Sequence, residues 1–215
     1  MTINEIYLQI LSSPLGGNVT ADNRTDAPYI YSLINTSFAQ AVRNIYGATK
    51  KISPQWYLPY YPEYEILSQD DYCFARFTMP NYIEFDSAMD GLGYIGSIRM
   101  NNAFIPITSR VYLSDMLSDK TRLTGDLTYM LIENNGGSMG VELYGKIVKN
   151  FKMMLIPANP AEFPAFNQDI DNYPADSGLI NEIKKIILGV DVQYIWKTRP
   201  DNVSNSKDET IPIAK

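Results

Sequence analysis

Carboxylates are the only side chains in this sequence whose type and spacing could support hydrolytic chemistry. Local pairs occur at Asp70–Asp71, Glu84–Asp86 and Asp115–Asp119, and two carboxyl groups flanking a glycosidic bond suffice for acid–base cleavage. No spacing sets any pair opposite another, and the neighbouring Tyr72, Tyr82 and Phe85 read more simply as strand packing. The chain has no histidine and a single cysteine, Cys73. Histidine titrates nearest neutrality and is the commonest general base and metal ligand. Without it, a Ser-His-Asp or Cys-His triad and the usual zinc site cannot be assembled. The expectation is a non-enzyme with no catalytic residue, cofactor or metal, and a carboxylate-based hydrolase stands as a minor alternative.

Three further patterns invite a ligand. In Asn167-Gln168-Asp169-Ile170-Asp171-Asn172, oxygen-bearing side chains crowd together, with Asp176 beyond. A calcium-binding EF-hand loop needs Gly at position six and Glu at position twelve. Counted from Asn167 these are Asn172 and Gly178, so the segment reads as a solvated loop that caps the next helix and suits its dipole. Gly91-Leu92-Gly93-Tyr94-Ile95-Gly96 has dinucleotide-fingerprint spacing, but that motif must open a helix. The β-forming residues from Tyr94 onward make it a glycine-rich strand entry. The aromatic run Trp56, Tyr57, Tyr60, Tyr61 and Tyr64 could stack on sugars or bases. No basic residues interleave it, and Tyr and Trp dominate subunit interfaces. Together with Phe163, Phe166 and Tyr173 it forms the candidate interface, and a carbohydrate- or ligand-binding module is the alternative.

Bulk properties bound these readings. Of 215 residues, 45% are hydrophobic and 20% charged, ordinary for a globular chain. The net charge of −6 does not suit tight binding of a nucleic-acid backbone, which needs clustered Lys and Arg. An acidic surface suits DNA that must slide past without sticking. Apolar runs such as Met153–Ile156 are too short to span a bilayer. Met1–Glu5 lacks the basic and apolar regions of a signal peptide, so the expected setting is intracellular and the Asn-x-Ser/Thr triplets at Asn18, Asn23, Asn35 and Asn202 are discounted.

The elements that must position these residues follow from periodicity. Ile3, Ile6, Tyr7, Ile10 and Leu11 have helical spacing, ended by Pro14, Gly16 and Gly17. Thr25 or Asp26 caps a second helix, with Pro28 in its first turn and a stripe Ile30, Leu33, Ile34, Phe38, Ala41, Val42, Ile45 ending at Gly47. The two form a helical hairpin over 1–52. Pro54, Pro59 and Pro62 make 53–68 an extended connector. Six β-rich segments follow: 72–77, 94–100, 104–107, 126–132, 139–144 and 148–156. Asn101–Asn102 and Asn134–Gly137 supply two hairpin turns, Ser114–Leu117 a helical turn, and 87–93 a loop. The sheet over 53–160 should be mainly antiparallel. In 161–215 a proline-rich arm precedes a helix capped by Asp176 or Ser177, with Leu179, Ile180, Ile183, Ile186 and Ile187 on one face and Gly189 as its terminator. Residues 199–210 read as a mobile polar tail. The expected class is α+β, one domain plus arms.

Several segments resemble a family of virion structural proteins of crAss-like and related podoviruses of Bacteroidetes. They are the polar lead Asp22–Asp26 into Tyr29–Asn35, the linker Lys51-Ile52-Ser53, the stretch Phe166-Asn167-x-Asp169-x-Asp171-x-Tyr173-Pro174, the helix to Leu188, and Asp201-Asn202-x-Ser204-Asn205. The likeness covers about half the chain, at both ends, and not the β-rich middle. It implies a ring or adaptor protein of the head-to-tail connector, below the portal and about a dozen copies strong around a DNA channel. Its partners would be the portal, neighbouring tail or ring proteins and passing DNA, with no membrane. It would be assembled in the host cytoplasm and end in the virion.

Overall fold

The computed structural model describes residues 1–12, 27–64, 73–86, 90–107, 128–133, 138–145, 148 and 150–197. Within them the fold is α+β. Helix α1 (Ile3–Ser12) opens on a capping box: Thr2 Oγ1 accepts the Glu5 N–H at 3.4 Å, and Glu5 Oε2 accepts the Thr2 N–H at 2.9 Å. Helix α2 (Ala27–Thr49) carries Pro28 in its first turn, where a missing N–H costs nothing. Helix α3 (Ser177–Lys197) completes a helical layer. Ile6, Ile10, Ile34, Phe38, Val42, Leu179, Ile183 and Ile187 meet in one apolar cluster. The hairpin read from the sequence therefore has a third member. Asn44 Nδ2 donates to Glu182 Oε1 at 3.1 Å and the Lys184 ammonium donates to Gln9 Oε1, so α3 ties to both earlier helices.

Two glycines do not end helices as the sequence implies. Helix α3 runs through Gly189, beside which a Cβ would find open space. Helix α2 passes Gly47 and stops at Thr49. There Lys50 takes the left-handed conformation (φ 53°) and donates its N–H to Tyr46 O at 2.7 Å. That is the geometry usually reserved for a terminating glycine. The Lys50 ammonium donates to Asp86 beyond the helix end, as described below.

Among the described residues seven strands form two sheets: β1 (Leu58–Tyr60), β2 (Cys73–Thr78), β3 (Leu92–Gly96), β4 (Ile105–Ile107), β5 (Thr128–Glu133), β6 (Met139–Tyr144) and β7 (Lys152–Leu155). One sheet has the order β1-β7-β3, the other β2-β6-β5-β4. Pairing is antiparallel except between β4 and β5. The connector is not wholly irregular, since Leu58–Tyr60 forms an edge strand, the one place in a sheet that tolerates Pro59. Period-two alternation turns Ala75, Phe77, Tyr129, Val141 and Leu143 to one face of the second sheet. There they share an apolar cluster with Leu92, Ile95, Met153 and Leu155 of the first.

The chain does reverse after β3, but the hydrogen-bonded turn is Ser97–Met100, with Met100 rather than Asn101 or Asn102 in the left-handed conformation, and its second arm changes sheet. Only Ala103 bridges back to Gly96, after which Ile105–Ile107 pairs with β5. Strand β3 ends at Gly96 rather than near Met100. Strands β5 and β6 pair as a hairpin should, from Thr128↔Tyr144 to Glu133↔Met139. The Asn134–Gly137 turn, the Thr25/Asp26 cap, Asp70–Asp71, Asp115–Asp119, the Ser114–Leu117 turn and the 199–210 tail lie outside the described residues.

Candidate interaction surface

The eight aromatic residues singled out in the sequence fall into three settings. Trp56, Phe163 and Tyr173 are core residues, 2%, 3% and 4% exposed. Trp56 donates its indole N–H to Asp176 Oδ2 at 3.1 Å. Tyr173 reaches Asn35 Oδ1 at 3.2 Å, and burial holds its phenol pKa well above the usual value. Phe163 meets Tyr60 edge-on at 6.0 Å. These three pack inside the subunit itself, whereas a direct contact residue would have to reach its surface. Tyr57, Tyr60, Tyr64 and Phe166 are half-buried. Tyr57 donates to Asp90 O at 3.2 Å, Tyr64 donates to Val148 O and meets Phe77 and Phe151 at tilted angles, and Phe166 touches Tyr173. Tyr61, 52% exposed, is the one of the eight that faces solvent.

Other exposed apolar side chains are Met1, Leu8 of α1 and Tyr29 of α2, and a further set at the turn after β3, on β4 and on the acidic loop. Ile98 and Met100, 47% and 49% exposed, project from the turn after β3, and Ile105 lies exposed on edge strand β4. That turn is braced: Ser97 Oγ contacts Asn101 Oδ1 at 2.6 Å and accepts the Asn102 N–H at 3.2 Å. Met100 donates its N–H to Ser97 O at 2.9 Å while in the left-handed region (φ 58°), an uncommon conformation for a side chain of that size. Lys152 Nζ lies 3.6 Å from Met100 Sδ. Ile170, 75% exposed, crowns the loop between Phe166 and Tyr173.

The acidic loop spends its oxygens on itself. Asn167 Oδ1 accepts the Asp169 N–H at 3.0 Å, and Asp171 Oδ2 accepts the Asn167 N–H at 2.8 Å. Asn35 Nδ2 donates to Gln168 Oε1 at 3.4 Å and fastens the loop to α2. No group of three or more potential metal ligands occurs among the described residues. Asp176 caps α3 by accepting the Leu179 N–H at 2.9 Å. The glycine run enters and forms β3, with Gly91 just before the strand, and its glycines serve close packing: a Cβ on Gly91 would lie 1.7 Å from Ile83 O, and one on Gly93 would meet the Tyr57 ring at 2.6 Å. No helix N-terminus opens there for a phosphate.

Of the carboxylate pairs, Glu84–Asp86 is described. Asp86 Oδ2 takes hydrogen bonds from Lys50 Nζ and the Tyr46 hydroxyl, both at 3.1 Å, and these hold its pKa below the usual carboxylate value. An acid so engaged is poorly placed as a base. Nothing in the residue pattern singles out Glu142, 3% exposed in β6. It is paired with the Arg76 guanidinium and accepts the Tyr144 hydroxyl at 2.6 Å. No described helix is long and apolar enough to cross a membrane. A scan against protein-family models and a search of curated proteins returned no match for this chain.

Proposed function

We propose that this chain is a non-enzymatic structural subunit, a ring or adaptor of a podovirus head-to-tail connector that acts through contacts with copies of itself and with the portal. The observation that carries the reading is the placement of exposed apolar side chains. Ile98, Met100, Ile105 and Ile170 stand on turns and a sheet edge while two apolar clusters fill the interior. Apolar side chains held at the surface on braced backbone are the kind that the centre of a protein interface uses. The sequence likeness at both ends supplies the virion setting, and the charge of −6 suits DNA passing without adhesion. A head-to-tail interface that closes by rotation gives a ring.

The carbohydrate-binding alternative called for a cleft of exposed aromatics at 56–64, where Trp56 is buried and Tyr57, Tyr60 and Tyr64 are half-buried. Native mass spectrometry and electron microscopy of the purified protein, alone and with its portal, test the proposal. The expected result is a closed ring of about a dozen copies, or one that forms on the portal. A monomer in both conditions, or enzyme-like turnover of a small molecule, overturns it.

A further inference from the structure

We infer that the turn Ile98–Met100 of one subunit docks against the loop Asp169–Asp171 of the next, so that the two form halves of one contact. This rests on the self-assembly proposed above and names where it occurs. Each half is an apolar centre beside charged groups, basic in one and mainly acidic in the other, where the Met1 ammonium also donates to Asn172 Oδ1 at 3.1 Å. Ile98 and Met100 are flanked by Arg99 and by Lys152, whose ammonium lies against Met100 Sδ. Ile170 is flanked by Asp169 and Asp171. An apolar centre inside a charged rim is the usual anatomy of an interface, and rims of opposite sign steer and register the partners. Both halves are already braced by their own hydrogen bonds, so little conformational freedom remains to be lost on docking.

Their positions make the contact intermolecular. Strand β7 begins at Lys152, beside the turn, and leads through Leu155 to Ile156, which enters the helical cluster. The turn therefore projects from the end of the sheet remote from the helices. The acidic loop lies on the helical layer, fastened to Asn35 of α2. Two different patches on different layers give a heterologous contact, which repeats from copy to copy.

Sedimentation velocity of the full chain over a range of concentrations provides the test. Arg99→Asp and Asp169→Arg should each weaken self-association about tenfold or more, and the double variant should restore it, because the exchanged charges again face each other. Ile170→Ser should weaken association with no change in melting temperature. If the wild type associates and all these variants associate equally well, this contact is wrong and self-assembly stands. If the wild type stays monomeric at every concentration and with its portal, both readings fall.

Discussion

The indole N–H of Trp56 and the carboxylate of Asp176 meet at 3.1 Å across 120 residues of chain, joining the aromatic connector to the start of α3. The other oxygen of the same carboxylate caps α3 through the Leu179 N–H at 2.9 Å. One side chain thus satisfies a buried donor and a helix end together.

Replacing Asp176 with Ala removes both bonds. A lost cap costs about 1 kcal/mol, and an indole N–H left buried without an acceptor adds about 1–3 kcal/mol. Urea unfolding should show a loss of about 2–4 kcal/mol for Asp176→Ala. Asp176→Asn keeps an acceptor for one of the two donors and should lose less than Asp176→Ala. Equal losses in the two variants would mean that the paired acceptor role is wrong.

The Lys50–Asp86–Tyr46 cluster sets a pH dependence of known sign. Hydrogen bonds from Lys50 and then Tyr46 lower the Asp86 pKa, so its contribution is present above the unfolded carboxylate value, about 3.9, and is lost as pH falls through the lower folded value. The Lys50 pKa is raised, chiefly by its hydrogen bond to Asp86. Its contribution is full below about 10.4 and is lost as pH rises through the higher folded value. Both groups are exposed, so the effect on stability is small. The sharper readout is the Asp86 titration by carboxyl NMR. Lys50→Met should move its midpoint upward, though not fully to the ordinary value while the Tyr46 hydroxyl stays bound. An unmoved midpoint would contradict the pairing.

Glu142 illustrates a different balance. A buried carboxylate is tolerated because Arg76 and the Tyr144 hydroxyl satisfy it. Arg76 is itself 59% exposed, so screening weakens the charge attraction. Arg76→Met should still cost about 1–3 kcal/mol through the undersatisfied carboxylate. Adding Glu142→Gln should recover part of that loss, since the neutral amide is cheaper to bury. Thermal unfolding of the two variants measures this, and a single variant within about 0.5 kcal/mol of wild type would show that Glu142 does not depend on Arg76.

The elements legible in advance were those whose apolar period stands alone. The α1 and α2 stripes, the Asp176 cap and the Pro59 limit on sheet position each follow from a few neighbouring residues. What escaped depends on distant partners. Trp56 and Tyr173 look like contact residues until Asp176 and Asn35 are seen beside them. The β4–β5 pairing cannot be read from Asn101–Asn102, because the turn is the same whichever sheet its second arm joins. Ile170 was readable as an apolar residue inside an acidic run. A solvated, helix-capping loop accounts for the run by its polar residues alone and leaves its apolar tip without a role.

Glycine substitutions separate a helix that continues from one that stops. In an unbroken α3, Gly189 has ordinary helical backbone and open space beside it, so Ala would meet nothing. Gly189→Ala should then stabilise by about 0.5–1 kcal/mol, through the smaller entropy loss of alanine in a helix. If Gly189 instead ended the helix in the left-handed conformation, the same change would destabilise. Gly91→Ala provides the contrast, because its Cβ would sit 1.7 Å from the Ile83 carbonyl oxygen. Main chain cannot swing aside as a long side chain can, so a loss of about 1–3 kcal/mol or more is expected. The site also joins β3 to the helical cluster, since Gly91 O accepts the Ile156 N–H at 3.0 Å. Chemical denaturation of both variants decides the matter: opposite signs support the continuous helix and the tight junction, and a destabilised Gly189→Ala would end α3 at Leu188.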